Sequence, residues 1–354
     1  MSNESVSRSV GQSVSSESAV RIPDLTSGTD RPHSDFRLRQ RQRSPDYVAY
    51  SGLIIDDIVL PDGRTFFNTL GGSGTHALVG MRVWSDHLGY FAAIGSDFSR
   101  DHREQLERLG IDLRGLIERD DYPTARAWQL FEPEERRVEV FRTDIEDFYR
   151  HEARFEEMPS DYLEARGFHL HFGTLLQTAE LVEKLRAVNP TACLVWEPTA
   201  LQLTGTDDEF SAVLSRVDLV SPDLGEARQM TGHNTIEGMV ETLLGWGVPV
   251  VALRMGARGS LVAMSGGEAY TIPAVPTNVV DTTGAGDAYC GGFLVARGSG
   301  VDTAEAGARA AVSASFALEQ FGVPIFDEQT QAEAERRLTW ARERIVASQV
   351  GSVP

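Results

Sequence analysis

The chain has 354 residues, 41% of them hydrophobic, and a formal net charge of −19 at pH 7. That length is enough for one large core or two domains. The acidic balance argues against a protein that binds nucleic acid or an anionic membrane surface, because neutralising phosphate requires an excess of Lys and Arg. We interpret the acidity as a well-hydrated surface.

Arginine supplies almost all of the positive charge, since Lys184 is the only lysine. A Walker A loop, a protein-kinase site and a Schiff base each require a lysine in the site. The context of Lys184, AELVEKLRAVNP, is typical of an exposed helix position, so these three mechanisms are excluded. Cys193 and Cys290 lack metal-site spacing and predict reduced thiols. Without a long apolar run or signal region, the chain predicts a cytoplasmic protein.

The first elements follow a polar segment. Residues 1–45 are rich in Ser, Arg and Asp and predict a disordered tail, because they cannot bury enough apolar surface to offset the entropy of ordering. YVAYSGLIIDDIVL, which begins at Tyr47, predicts one strand that ends in acidic residues, and GRTFFNTL predicts a second, shorter one. GSGTHALVGMRVW has the apolar spacing of a helix, and LGYFAAIG predicts another strand.

The middle of the chain carries a hairpin signal. Two strand-like runs flank the polar turn EPEER within residues 124–143. Beyond them, apolar strands such as FHLHFG, ACLVWEP and VPVVALRMG alternate with amphipathic helices, and GSLVAM with EAYTIPAV suggests an edge hairpin. This alternation predicts an α/β fold with a mainly parallel sheet covered by helices on both faces. We expect one domain over 46–330, then a C-terminal helix and tail over 331–354.

The stretch VVDTTGAGDAYCGGF stands where an apolar run gives way to a helix start. Gly284 and Gly286 let the backbone approach a ligand closely, and Ala285 adds only a methyl group. The unpaired N–H groups of a helix start favour phosphate. Asp287, directly behind them, can accept a proton from a hydroxyl nucleophile. The alternative is a glycine-rich turn that Asp287 merely caps.

A second glycine motif, LGGSGTHAL, admits two interpretations. Gly72-x-Gly74-x-x-Ala77 matches a dinucleotide fingerprint and favours an NAD-dependent oxidoreductase. Against this, the preceding strand is short and follows a hairpin turn, and the later Gly-Ala-Gly turn stays unexplained. The alternative is that Gly71 and Gly72 let a small polar substrate rest on the backbone, with His76 reaching it.

Together the two motifs resemble the ribokinase or pfkB family of small-molecule kinases. FAAIGSD, PDLGEA and RMGARGS follow in family order, and the resemblance covers about residues 47–326. GGSGTHAL, PTARAW, VWEP and VSPDLGEA are similar to the fungal killer-maintenance branch. The resemblance implies ATP-dependent phosphorylation of a hydroxyl on a sugar, nucleoside or related compound, with ATP and Mg²⁺ as cofactors. It also implies a β lid over about 120–145 and a homodimer formed through that lid.

The resemblance assigns a role to each matching residue. Asp287 is the expected base, and Gly284, Ala285 and Gly286 are the expected anion hole. The expected substrate-binding positions are Asp57, Gly71, Gly72 and His76. The expected nucleotide-binding positions are Gly256, Gly259, Thr283 and Arg254. The expected metal-binding positions are Asp223, Glu226 and Asp281. Asp223 and Glu226 offer oxygen ligands for Mg²⁺. Asp281 and Thr283 match positions that bind a monovalent cation in some members.

Three of these positions depart from the family pattern. His76 stands where members commonly have asparagine, Arg254 where many have threonine, and Asp223 where asparagine is frequent. They leave open a non-catalytic descendant that binds a ligand or partner.

Two other features are interpreted as packing. Trp196-Glu197-Pro198 predicts a buried tryptophan followed by a turn. His169 and His171 share one strand face and have no evident third metal ligand.

Overall fold

The computed structural model describes residues 43–132 and 137–349. The tail predicted over residues 1–45 lies outside the described residues except for its last positions, 43–45. None of the described helices is both long enough and apolar enough to cross a membrane.

The main sheet has ten strands and confirms the predicted α/β class. In spatial order they are β14 (Val346–Gln349), β13 (Glu268–Ile272), β12 (Ser260–Met264), β11 (Val250–Arg254), β10 (Leu219–Val220), β9 (Cys193–Trp196), β8 (Gly167–His171), β1 (Tyr47–Ser51), β4 (Leu88–Gly95) and β5 (Ile111–Arg119). Neighbours from β11 to β5 are parallel. The pairs that involve β12, β13 and β14 are antiparallel.

Helices cover both faces of this sheet. The described helices are α1 (Ser73–Arg82), α2 (Arg100–Arg108), α3 (Ile145–His151), α4 (Leu175–Val188), α5 (Asp207–Leu214), α6 (Leu224–Thr231), α7 (Ile236–Gly245), α8 (Ala285–Gly298), α9 (Thr303–Ala317) and α10 (Glu328–Arg342). Of these, α3 packs through its Phe148 against a small separate cluster that includes Ile54. One buried cluster joins the sheet to α1, α2, α8, α9 and α10, and another joins it to α4, α5, α6 and α7. Val48 and Ala49 belong to opposite clusters, as the alternation of side chains along a strand requires.

A second sheet, which we call the lid, has four strands: β3 (Thr65–Gly71), β2 (Ile54–Val59), β6 (Arg126–Phe131) and β7 (Arg137–Phe141). The hairpin expected within 124–143 forms β6 and β7, which pair antiparallel. β2 pairs parallel with β6 and antiparallel with β3. The lid is therefore built from two distant parts of the chain, whereas the sequence predicted only the hairpin.

The run YVAYSGLIIDDIVL is two strands and not one. It breaks at Gly52–Leu53, so β1 belongs to the main sheet and β2 to the lid. Periodicity did not show the break because both halves are apolar and almost fully buried. As a consequence, the acidic residues at the end of this run lie in the lid.

The C-terminal segment holds more than the expected helix and tail. After α10 the chain adds β14 to the edge of the main sheet, antiparallel to β13. The strand sequence, VASQ, is short and mostly exposed, so it lacks the apolar alternation by which strands are recognised.

Candidate active site

A cleft of about 680 Å³ lies between the lid and the main sheet. Its walls include residues that directly follow strands, where ligands bind in open α/β sheets. The structure brings together these predicted residues on its lining: Gly72, His76, Asp223, Glu226, Arg254, Gly256, Thr283, Gly284, Gly286 and Asp287. The remaining predicted positions, Asp57, Gly71, Gly259, Asp281 and Ala285, are not among the described residues that line it.

The Gly-Ala-Gly turn needs both of its glycines. Gly284 has φ 74°, and a Cβ atom there would lie 2.0 Å from Cγ of His76. A Cβ atom on Gly286 would lie 1.9 Å from Nη1 of Arg254. The turn begins α8, whose first N–H groups have no partner within the helix. Backbone donors and the positive end of a helix therefore face the cleft.

Asp287 lies in the first turn of α8, on the lining of the cleft. Burial, and after it the neighbouring Glu197 carboxylate, raise the pKa of Asp287 well above its usual range. The carboxyl group therefore holds its proton to a higher pH than an exposed aspartate does.

Glu197, which the sequence analysis left as part of a turn, lies at the centre of this site. It follows β9 and is buried, and its Oε2 accepts a hydrogen bond of 2.9 Å from Nε2 of His169. Its Oε1 pairs with Arg254. Burial opposes ionisation of Glu197, but Arg254 and His169 outweigh it and lower the pKa. The sequence signal that could have identified Glu197 was its position directly after a strand of the main sheet.

The two histidines of β8 are packed in the sheet, as predicted, and both also form hydrogen bonds with Glu197. His171 lines the cleft, and its Nδ1 donates a 3.2 Å hydrogen bond to the backbone oxygen of Glu197. Burial is the main reason that the pKa of His171 falls to about 4. His169, Glu197 and Cys290 place possible ligand atoms within 4.8 Å of one another. The guanidinium of Arg254 pairs with the same Glu197 carboxylate, which disfavours a metal ion there.

Asp223 and Glu226 form a capping box at the start of α6. Oδ1 of Asp223 accepts the N–H groups of Gly225 at 2.7 Å and Glu226 at 2.8 Å. Oε2 of Glu226 accepts the N–H of Asp223 at 2.7 Å and Nη2 of Arg254 at 3.0 Å. Both carboxylates line the cleft, and each keeps a second oxygen. Two such oxygens suit Mg²⁺ or its waters.

The structure places Asp56, and not Asp57, in the cleft. The pairing of β2 with β3 shifts register between Asp56 and Ile58, where β3 carries one extra residue, whereas β2 pairs with β6 in unbroken register. Asp56 and Asp57, as neighbours in a regular strand, therefore point to opposite faces. Asp57 pairs with Arg142 and accepts the N–H of Asn68 at 2.9 Å. Asp56 instead accepts a 3.0 Å hydrogen bond from Nε2 of Gln129, and burial raises its pKa to about 7.

Gly71 and Gly259 support the site without lining it. A Cβ atom on Gly71 would lie 2.0 Å from Oδ2 of Asp56, so this glycine makes room for that carboxyl group. Gly259 has φ 85°, and a Cβ atom there would lie 2.0 Å from the Ile272 oxygen. It therefore shapes the turn between β11 and β12.

His76, Thr283 and Asp281 lie beside the Gly-Ala-Gly turn. Burial lowers the pKa of His76 to about 4, so its ring is neutral. Nε2 of His76 and Oγ1 of Thr283 are buried and have no hydrogen-bond partner among the described residues. Oδ1 of Asp281 accepts the Thr283 N–H at 2.8 Å. The unpartnered Thr283 oxygen and the carboxyl group of Asp281 are oxygen ligands that could bind a cation.

The lid end of the cleft combines carboxyl groups with aromatic rings. Nε2 of Gln129 bridges Asp56 and Glu139, at 3.0 and 2.8 Å. Oε2 of Glu152 is buried without a partner among the described residues, and burial raises the pKa of Glu152 to about 8. Aromatic and aliphatic side chains complete this end: Ile54, Phe141, Ile145, Phe148 and Tyr149.

The fold and the cleft together define a kinase of small molecules. The profile of the pfkB family carbohydrate kinases matches residues 46–330, and the chain belongs to that family. It is 26% identical over 252 residues to a cytidine kinase of Thermococcus kodakarensis, covering 70% of this chain and 87% of that protein. An uncharacterised protein of Schizosaccharomyces pombe is 24% identical to this chain over 335 residues, and the match covers 81% of this chain and 88% of the yeast protein. Similarity to the fungal killer-maintenance branch stays a prediction.

Solved structures share the fold. A putative ribokinase II from E. coli in complex with ATP and Mg²⁺ has a TM-score of 0.67 and 19% identity, covering 84% of this chain and 99% of its own. Members of this kinase class transfer phosphate from ATP to an alcohol group, so the chain is a phosphotransferase. The dinucleotide interpretation of Gly72-x-Gly74 is wrong, because the strand before it, β3, is an antiparallel lid strand and not part of a βαβ unit.

Proposed function

We propose that the protein uses ATP to phosphorylate a hydroxyl of an uncharged sugar or nucleoside, with Asp287 as the base. The observation that carries this is the position of Asp287 in the cleft, directly behind a turn whose backbone N–H groups have no partner within the helix. The Asp287 carboxylate takes the hydroxyl proton while the acceptor oxygen bonds to the γ-phosphorus of ATP. The bond between that phosphorus and ADP breaks. The N–H groups of the Gly-Ala-Gly turn stabilise the charge on the transferring group.

The cleft offers separate places for the cofactors. Asp223 and Glu226 would hold Mg²⁺, which neutralises phosphate charge when bound. Asp281 and Thr283 would hold a monovalent cation near the turn. Gly256 and Arg254 would border the nucleotide phosphates, since both line the cleft and Arg254 pairs with Glu226.

The charge of the lid end supports an uncharged acceptor. Three acidic residues line it, namely Asp56, Glu139 and Glu152. The described lid strands add one basic residue to the lining, Arg137. These carboxyl groups exchange hydrogen bonds with hydroxyl and amino groups, whereas any of them that is ionised repels a carboxylate on the substrate. The rings of Phe148 and Tyr149, 5.1 Å apart and edge to face, add a surface on which a sugar or base can rest.

A phosphotransfer screen over neutral nucleosides, neutral sugars and sugar acids tests the proposal. We expect turnover with a neutral compound, and a kcat lower by about 10²–10⁴-fold in Asp287→Asn, the range typical of a lost general base. Asp208→Asn, an exposed acid in α5, is the matched control and should retain full activity. A wild type that binds ATP but phosphorylates nothing in the screen would support the non-catalytic alternative.

We also propose a homodimer formed through the outer face of the lid and a cytoplasmic location. Trp128 and Val140 are a cross-strand pair on that face, 44% and 41% exposed. Exposed apolar patches on a sheet favour association with a second copy. The two cysteines are unpaired, as is usual where thiols stay reduced.

A further inference from the structure

The guanidinium of Arg254 forms one wall of the Gly-Ala-Gly turn. The site that a Cβ atom on Gly286 would occupy lies 1.9 Å from Nη1 and 3.0 Å from Cζ of Arg254. The arginine side chain is only 14% exposed, and it ends where the first N–H groups of α8 begin. A fixed cation is therefore adjacent to the backbone donors.

Glu197 holds this guanidinium from behind. Its Oε1 contacts Nη1 of Arg254 and lies 3.4 Å from the same Gly286 position. Its Oε2 accepts the Nε2–H of His169, which is fully buried. Burying a carboxylate costs free energy unless partners satisfy it, and here each oxygen has one. The orientation of Arg254 thus depends on Glu197, and that of Glu197 on His169.

The chemistry of phosphoryl transfer gives this arrangement a purpose. The transferring group spreads negative charge over its three outer oxygens, and planar guanidinium donors match such oxygens well. The single lysine cannot serve, because Lys184 is paired with Glu156 on the exposed surface of α4. A Cβ atom at residue 286 would meet Nη1 of Arg254, so glycine there leaves room for the guanidinium beside the turn.

We propose that Arg254 is a catalytic residue that binds the transferring phosphoryl group of ATP, and that Glu197, held by His169, is its positioning residue. This inference rests on the proposed kinase function. It assigns to Arg254 the terminal phosphate and not merely the nucleotide in general. It also gives a part in the transfer step to Glu197, interpreted from sequence as part of a turn, and to His169, interpreted as a packing residue.

Calorimetric binding of two nucleotides with Mg²⁺ tests the inference without knowledge of the acceptor. The non-hydrolysable analogue AMP-PNP carries the terminal phosphate, and ADP lacks it. We expect Arg254→Met and Glu197→Gln each to weaken AMP-PNP by about tenfold or more while ADP affinity changes by less than about twofold, since one charge-assisted contact is lost. Glu157→Gln, which breaks the Arg119–Glu157 pair away from the cleft, should leave both affinities unchanged.

A double variant separates positioning from general structure. If Glu197 acts through Arg254, adding Glu197→Gln to Arg254→Met causes no further loss of AMP-PNP affinity. Arg254→Lys keeps the buried charge and should fold, with an intermediate ratio of AMP-PNP to ADP affinity. An unchanged ratio in the folded single variants overturns this inference alone, as does full additivity of the two changes. A wild type that binds neither nucleotide overturns the proposed function itself.

Discussion

At the scale of single residues, the cleft concentrates carboxyl groups whose protons are held by burial. Asp56, Glu152 and Asp287 all have raised pKa values, and burial is the first cause in each case. Glu197 differs because Arg254 keeps it ionised. Two neighbouring acids whose pKa values are shifted in opposite directions are a pattern found at sites of proton transfer. Ionising these buried carboxyl groups therefore lowers the free energy of unfolding, and this loss can be measured by changing the pH or by substitution.

Glu152→Gln should stabilise the protein at neutral pH. The pKa of Glu152 is raised from 4.5 to about 8 in the folded chain, so its contribution to stability is fully present below about pH 4.5 and is lost as the pH rises to about 8. Glutamine removes that loss. We expect a gain of at most roughly 3 kcal/mol at pH 7 and almost none at pH 4, from 1.36 kcal/mol per pKa unit. Denaturant unfolding at the two pH values measures it, and an equal gain at both would contradict the assignment.

Activity should depend on pH through Asp287. A base must be ionised to work, and the pKa of Asp287 is raised, so kcat/KM should fall as the pH drops through that raised value. The acidic limb should consequently lie above the range of an ordinary aspartate. A pH–rate profile with a neutral acceptor gives the apparent value. An acidic limb near pH 4 would show that burial does not shift this group during turnover.

The two neighbouring aspartates of the lid should separate in their effects. Asp56→Asn changes a carboxyl group that faces the cleft, and we expect KM for the acceptor to rise about tenfold, the effect of one hydrogen bond to a charged group. Asp57→Asn breaks the pair with Arg142 outside the cleft and should leave that KM within about twofold. Steady-state kinetics on both variants decides. The opposite ranking would return Asp57 to the substrate site.

At the scale of elements, glycines let α1 and α8 pack closely at the cleft. A Cβ atom on Gly80 would lie 2.0 Å from the Ala288 oxygen, and one on Gly291 would lie 2.0 Å from the Ala77 oxygen. Both contacts are with backbone, which cannot move aside as a side chain can. This packing sets α1, with His76, against the turn that begins α8.

Gly80→Ala should therefore lower both stability and activity. We expect a loss of about 1–3 kcal/mol, the usual cost of overpacking a core, with a lower kcat as α1 moves away from α8. Gly245→Ala is a matched control, because that helical glycine of α7 has no atom within 4 Å of its Cβ position. The control should be neutral or gain up to about 1 kcal/mol. Urea unfolding compares the two, and a stable, fully active Gly80→Ala would refute the close-packing argument.

At the scale of the whole molecule, the lid faces the cleft on one side and presents an apolar surface on the other. Phe67, Trp128 and Val140 are all more than 40% exposed. If two copies pair through this surface, Trp128→Glu should convert a dimer into a monomer, because a charge at the interface centre is costly to bury. Analytical ultracentrifugation at micromolar protein concentration measures the mass of the particle in solution. Ile325→Glu, at a residue 89% exposed, should keep the dimer. A monomeric wild type would contradict the proposal.

By itself the sequence determined what depends on short stretches of chain. Alternating strands and helices gave the fold class, and the order of Gly284, Gly286 and Asp287 gave the proposed phosphate-binding turn with its acid, because backbone donors at a helix start act within a few residues. The tertiary structure decided the rest. Asp56 and not Asp57 lines the cleft, because neighbouring strand residues point to opposite faces and only the folded lid shows which face of β2 meets the cleft. His169 and Arg254 lie on two separate strands of the main sheet and Glu197 directly follows a third, so only the folded sheet could bring Arg254 and Glu197 beside Gly286 with His169 behind Glu197.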